Sequence, residues 1–134
     1  MRFRPPSSLV LCLALAVAAL GAAHAATPGE LAGSYAGQAG APPAAARGQQ
    51  FFTSKHGQEW SCASCHGTPP TQGGKHAATG KPISPLAPAF NPERFTDPAK
   101  VEKGFRRNCN DVVGRECSAG EKADVLAWLM TLNK

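Results

Sequence analysis

The chain has 134 residues, of which 43% are hydrophobic, and 14 Lys+Arg against 9 Asp+Glu give a formal charge of +5. That length allows one small domain with one modest core. The basic residues are scattered, and no Lys/Arg run carries interleaved aromatics, so the charge does not point to nucleic acid as a partner.

Arg2 and Arg4 precede an uncharged apolar run, Leu9 to Leu20, and Ala23-His24-Ala25 puts small residues at the two positions a signal peptidase reads. This is the pattern of a secretory signal peptide over residues 1–25, cleaved after Ala25. The run is shorter than the roughly 20 residues that cross a bilayer. The mature chain, 26–134, is therefore expected to be one periplasmic domain without a membrane span. Cys12 follows Leu11, a large residue where lipoprotein processing needs a small one. The other cysteines, Cys62, Cys65, Cys109 and Cys117, meet an oxidising compartment, where thiols are committed to disulfides, metal or a cofactor.

The spacing of apolar residues predicts an all-α chain with long loops. Leu31 and Tyr35, four apart, mark a helix over 28–38. Gly40 to Pro43 is a break, with Pro43 suited to a first helical turn. The next helix runs over 44–55, with Gly48 and Phe52 on one face. A mid-helix glycine costs about 1 kcal/mol relative to alanine, and its use is close approach of another helix. Residues 57–91 are too rich in Gly and Pro for elements of any length; so long a loop in a small domain wraps something or is disordered. Asp97 is an N-cap with Pro98 at the first helical position. That helix buries Val101 and Phe105 and is expected to end near Arg107. Ser118 and Glu121 have capping-box spacing and open a last helix over 119–132. Val125, Leu129 and Leu132 form its apolar stripe, with Trp128 beside it.

Cys62-Ala63-Ser64-Cys65-His66 is the c-type haem attachment motif. Two thiols at this spacing add across the two vinyl groups on one porphyrin edge. The next residue, His66, is then held beneath the iron as its proximal ligand. Zinc would need a second short-spaced Cys/His pair, and Cys109 and Cys117 are too far apart in sequence. A thioredoxin-like pair would sit in a βαβ setting, and none is visible. Gly48, Phe52 and Trp128 look like the crossing of the N- and C-terminal helices shared by small class I cytochromes c.

The other side of the iron is less plain. Electron-carrier cytochromes supply a methionine there, but Met130 lies within the last helix rather than in the loop before it. Other candidates are His56, His76, Lys75, Lys81, Asn108 and Asn110. Lysines are protonated at neutral pH unless buried. The segment RNCNDVVGREC, 107–117, occupies the place in sequence from which a distal ligand comes.

CASCHG, ISPLAP (83–88), RFTDPAKVEKGFRRNCNDVVGREC (94–117) and SAGEKADVLAW (118–128) together resemble the sphaeroides haem protein family of monohaem cytochromes c. The resemblance covers nearly all of the mature chain. It implies a class I cytochrome c fold of about four to five helices wrapping one covalent haem c on Cys62 and Cys65. It implies Asn108 as the distal ligand, with Asn110 the competing asparagine, and a disulfide between Cys109 and Cys117. It also implies electron partners, a dihaem cytochrome c and a membrane cytochrome b.

An asparagine oxygen is a hard, neutral, weak-field donor that suits ferric iron better than ferrous. Its bond is expected to weaken on reduction and leave a position for O₂ or NO. The disulfide would brace the asparagine, with Gly114 permitting a tight turn. Arg94, Arg106 and Arg107 are candidates for haem propionates or for docking an acidic redox partner. Two other functions remain in view: an ordinary electron shuttle with Met130 or His76 as sixth ligand, and a small-molecule reductase.

Overall fold

The computed structural model describes residues 1–2 and 25–134. Most of the leader read over 1–25 thus lies outside the described residues, and among those described no helix is long and apolar enough to cross a membrane. Five helices and one short ribbon follow in order: α1 (Pro28–Ala39), α2 (Ala45–Thr53), α3 (Cys62–His66), β1 (Gly74–Lys75), β2 (Pro82–Ile83), α4 (Pro98–Val113) and α5 (Ala119–Thr131). β1 and β2 are antiparallel, with Gly74 opposite Ile83. The all-α expectation holds.

Each long helix starts where the sequence provides a cap. The Thr27 side chain accepts from the Glu30 N–H, and Glu30 answers the Thr27 N–H at 2.7 Å. Asp97 accepts from the Lys100 N–H at 3.1 Å. Ser118 and Glu121 form the reciprocal box at 3.2 and 2.8 Å. α2 differs: Ala44 occupies its N-cap, Pro43 lies outside the helix, and no local side chain caps it. The cap comes from α5 instead. Asp124, buried, accepts the Ala44 N–H at 2.6 Å and the Arg47 Nε at 2.7 Å.

α5 is the hub, packed along both α1 and α2. On the α1 side, Leu31, Ala32, Tyr35, Val101, Ala123 and Leu126 form one cluster. On the α2 side, Phe52 packs with Val125, Trp128 and Leu129, and the Phe52 and Trp128 rings lie 5.0 Å apart. Gly48 lies at that crossing; a Cβ there would stand 1.9 Å from the Asp124 carbonyl oxygen.

α4 departs from the sequence expectation. It does not end near Arg107 but continues to Val113, because Cys109, Val112 and Val113 bury against Cys117, and no breaker intervenes before Gly114. Gly114 is the left-handed C-cap, φ +78°, a conformation glycine adopts without steric cost. Its role is to stop the helix rather than to turn a loop. α4 also packs less extensively, backbone to backbone, against the other elements than α5 does against its neighbours.

Candidate functional site

CASCH folds as the short helix α3, steadied from two sides. The Ser61 N–H donates to Ser64 Oγ at 3.0 Å. β1 presses on its end so closely that a Cβ on Gly74 would meet the Cys65 carbonyl oxygen at 1.9 Å. The Ala77 N–H donates to Cys65 Sγ at 3.3 Å. Cys62 and Cys65 are unbridged and half-buried. Before attachment, burial pushes the free Cys62 thiol up to about 11.

His66 sits 6.1 Å from the Phe52 ring, centroid to centroid. Burial first, and the nearby Arg94 charge second, push its imidazole down to about 4. It is therefore neutral at physiological pH, the form in which histidine ligates metals. Its Nδ1 is buried without a hydrogen-bond partner among the described residues.

These residues open onto one cavity of about 1180 Å³, larger than the roughly 300–1,000 Å³ of most small-molecule sites. Phe52, Trp60, Ile83, Leu86, Phe95, Val101, Phe105, Val125 and Leu129 give it apolar walls. Cys62, Cys65 and His66 reach it from α3, and Asn108 and Cys109 from α4. A large apolar slot, two thiols on its wall and a neutral imidazole beside them suit a flat macrocycle attached through thioethers. The residues present fit haem c.

The other candidates divide clearly. Asn108 lines the cavity; Asn110 does not, and its amide donates to the Arg106 carbonyl oxygen at 2.8 Å. His76 and Lys81 line the cavity from the β1–β2 ribbon, and His76 Nδ1 accepts from the Thr79 N–H at 3.3 Å. Lys75 is exposed on β1, away from the lining. His56 lies against the Phe51 ring at 4.3 Å, and its Nε2 is 2.7 Å from the Phe51 carbonyl oxygen, outside the cavity. Met130 is exposed, next to Gly29, and also outside.

Cys109 and Cys117 are joined in a disulfide, Cα atoms 5.7 Å apart, which ties α4 to the start of α5. Arg94 lines the cavity and is held there by donating to the Pro85 and Ser84 carbonyl oxygens at 3.1 and 3.0 Å. Arg107 lines it too, whereas Arg106 pairs with Glu116 at 3.3 Å.

Sequence reasoning passed over Trp60, Leu86 and Phe95 as lining residues. Leu86 is fixed because the Leu86 and Ala87 N–H groups both donate to the Pro70 carbonyl oxygen at 3.1 Å. Phe95 holds φ +61°, unusual for a bulky residue, and its ring packs against the core clusters on both sides of α5. Neither feature leaves a pattern in the sequence; the Gly/Pro-rich loop shows only that something is wrapped.

A family model described as a domain of unknown function (DUF1924) matches residues 38–129. The cytochrome c-type protein SHP of Cereibacter sphaeroides is 48% identical over 125 residues, covering 90% of this chain and 95% of that protein. Cytochrome c'' of Methylophilus methylotrophus is 47% identical over 96 residues, 69% of this chain and 67% of the other. Among solved structures, oxidised SHP, described as an oxygen-binding cytochrome c, superposes with a TM-score of 0.76 at 48% identity, covering 81% of this chain and 99% of that one. Oxidised cytochrome c'' gives 0.71 at 40% identity, covering 80% and 95%. Five helices around a thiol- and histidine-lined slot, and a relative matched almost end to end, place this chain in the SHP family of c-type cytochromes, with one covalently bound haem c.

Proposed function

We propose that the protein is an exported cytochrome c that takes up and passes on single electrons and, when reduced, binds a diatomic gas, O₂ or NO, at a position vacated by Asn108. The placement of Asn108 carries this reading: it lines the same cavity as His66, Cys62 and Cys65 but reaches it from a different helix, while Asn110 is turned to its own helix backbone. When bound, haem supplies a one-electron couple and an iron with one position beyond the proximal ligand. His66 offers a neutral imidazole to one side. Cys62 and Cys65 anchor the porphyrin edge. Asn108 presents a hard carboxamide oxygen that favours the oxidised metal and lets go of the reduced one. A small neutral molecule would then take the place it leaves, between the largely apolar walls of the cavity. The related SHP is described as oxygen-binding, which supports the same use here.

Export is supported by the leader pattern and by the Cys109–Cys117 disulfide, a bond at home in an oxidising compartment. Electrons would come through a dihaem cytochrome c or a membrane cytochrome b, the partners the resemblance implies. The test is the ferric absorption and EPR spectrum of wild type, Asn108→Ala and Asn110→Ala. Wild type is expected to be high-spin or near that boundary, Asn108→Ala to change and Asn110→Ala to match wild type. A methionine–iron charge-transfer band in wild type, or an unaltered Asn108→Ala spectrum, would sink the reading. One observation favours a second reading, a low-spin shuttle: His76 also lines the cavity. A low-spin ferric spectrum that is lost only in His76→Ala would select it.

A further inference from the structure

α4 carries Asn108 yet lacks the extensive backbone packing that joins α5 to α1 and α2. Side chains hold it instead. Near its C-terminus the fastening is the disulfide to Cys117. Near its N-terminus it is Glu102. The Glu102 carboxylate accepts the Tyr35 hydroxyl from α1 at 2.7 Å and the Lys122 ammonium from α5 at 2.5 Å. Lys122 is only 8% exposed, and its Nζ lies 5.2 Å from the Tyr35 ring centroid and 5.9 Å from that of Phe105. Tyr35 and Phe105 meet edge to face at 5.9 Å.

This cluster is adjacent to the helix stripe that faces the cavity. Val101, Gly104, Phe105 and Asn108 all line it, at the three- and four-residue spacings that share a helix face. Apolar contacts resist separation but are non-directional. Hydrogen bonds from two other helices to one carboxylate are directional, and they resist sliding of α4 along its axis. Breaking them also leaves the Lys122 charge buried without its partner, which is costly.

We infer that Glu102, held by Lys122 and Tyr35, is a positioning residue for Asn108. It sets the height of α4 over the cavity, and with it the balance between the asparagine-ligated and open ferric protein. The inference rests on Asn108 being the distal ligand.

The test titrates ferric holoprotein with imidazole, followed by absorbance, and records thermal midpoints beside it. The variants are Glu102→Gln, Tyr35→Phe, Asn108→Ala and Arg47→Ala. Arg47→Ala is a stability control, because Arg47 pairs with Asp124 and neither residue lines the cavity. Asn108→Ala is expected to tighten imidazole binding by more than about tenfold. Glu102→Gln is expected to tighten it roughly three- to tenfold, the equivalent of one net hydrogen bond. Tyr35→Phe, the milder change, should move the same way by less, and Arg47→Ala should lower the midpoint with imidazole affinity unchanged. Lower midpoints with wild-type affinity in Glu102→Gln and Tyr35→Phe, beside a tightened Asn108→Ala, would overturn the positioning role and leave the ligand assignment standing. Wild-type affinity in Asn108→Ala would overturn both.

Discussion

Replacing Gly48 by alanine tests the helix crossing on which the site is built. The added Cβ would stand 1.9 Å from the Asp124 carbonyl oxygen, 2.4 Å from its carbon and 2.9 Å from the Val125 nitrogen. All three are backbone atoms of α5, so no side chain can swing aside. Carbon contacts are comfortable near 3.5 Å, so α2 and α5 must part by about 1.5 Å. That loosens the Phe52–Trp128 pair at 5.0 Å and the bonds from Ala44 and Arg47 to Asp124. Overpacking costs about 1–3 kcal/mol, the aromatic pair about 1 and the α2 cap about 1. Helix propensity returns about 1. The net is a loss of about 3 kcal/mol, or on the order of 10–20 °C in Tm for a domain of this size. Gly33→Ala is the matched control: nothing lies within 4 Å of its Cβ, so propensity alone should stabilise by about 0.5–1 kcal/mol. Urea and thermal unfolding of the holoprotein, followed by far-UV circular dichroism, measure both. A Gly48→Ala protein as stable as wild type, or a Gly33→Ala protein that loses as much, would refute the reasoning.

Replacing both Cys109 and Cys117 by serine should cost about 2.5 kcal/mol on the chain-entropy argument for a sequence separation of 8, read as a lower urea midpoint; an unchanged midpoint would show that the denatured chain is already constrained there. Acid should weaken the fold through two carboxylates. Hydrogen bonds first from Lys122 and then from Tyr35 hold Glu102 below the usual range, and Arg115 first and then Ser118 do the same for Glu121. Their contribution is complete above the ordinary Glu value near 4.3 and is lost as pH falls through the lower folded values. Because both are partly exposed, the two together should amount to about 1 kcal/mol. Urea unfolding at pH 5 and pH 3 measures it, and Glu102→Gln should flatten part of that slope; an identical slope in the variant would contradict the assignment.

The parts of this fold that the sequence announces are those with local causes. Leu31 and Tyr35, the Asp97-Pro98 start and the Ser118/Glu121 box each act within a turn or two, and α1, the start of α4 and α5 lie where they point. The end of α4 was not legible, because RRNCND is polar and carries cap-forming residues. What extends the helix is burial of Cys109, Val112 and Val113 against Cys117, a tertiary cause. The cap of α2 had the same fate, since Asp124 supplies it from 80 residues away. In the site, CASCH is self-declaring. The arrival of His76 and Lys81 at the cavity depends on how the ribbon folds back on α3. The Tyr35–Glu102–Lys122 cluster joins three helices through pairs that no periodicity reports.

The extension of α4 changes the mechanics proposed for Asn108. On a loop, a labile ligand leaves by moving its backbone. Asn108 lies inside a helix, six residues before the Gly114 cap, and the next residue is fastened to Cys117. Its backbone is therefore held on both sides, by the helix hydrogen bonds and by the disulfide. What remains free is rotation about its own side-chain bonds, which in an exposed residue takes picoseconds to nanoseconds. Release and return of the carboxamide, as proposed, would then need no refolding and no loop closure. On the proposed assignment, the oxidation state would decide whether the ligand is held, and the placement of α4 how well it reaches. A rigid helix with a mobile carboxamide would separate those two controls, so that, with Asn108 as the ligand, the fastenings of α4 as well as the asparagine would set the behaviour of the site.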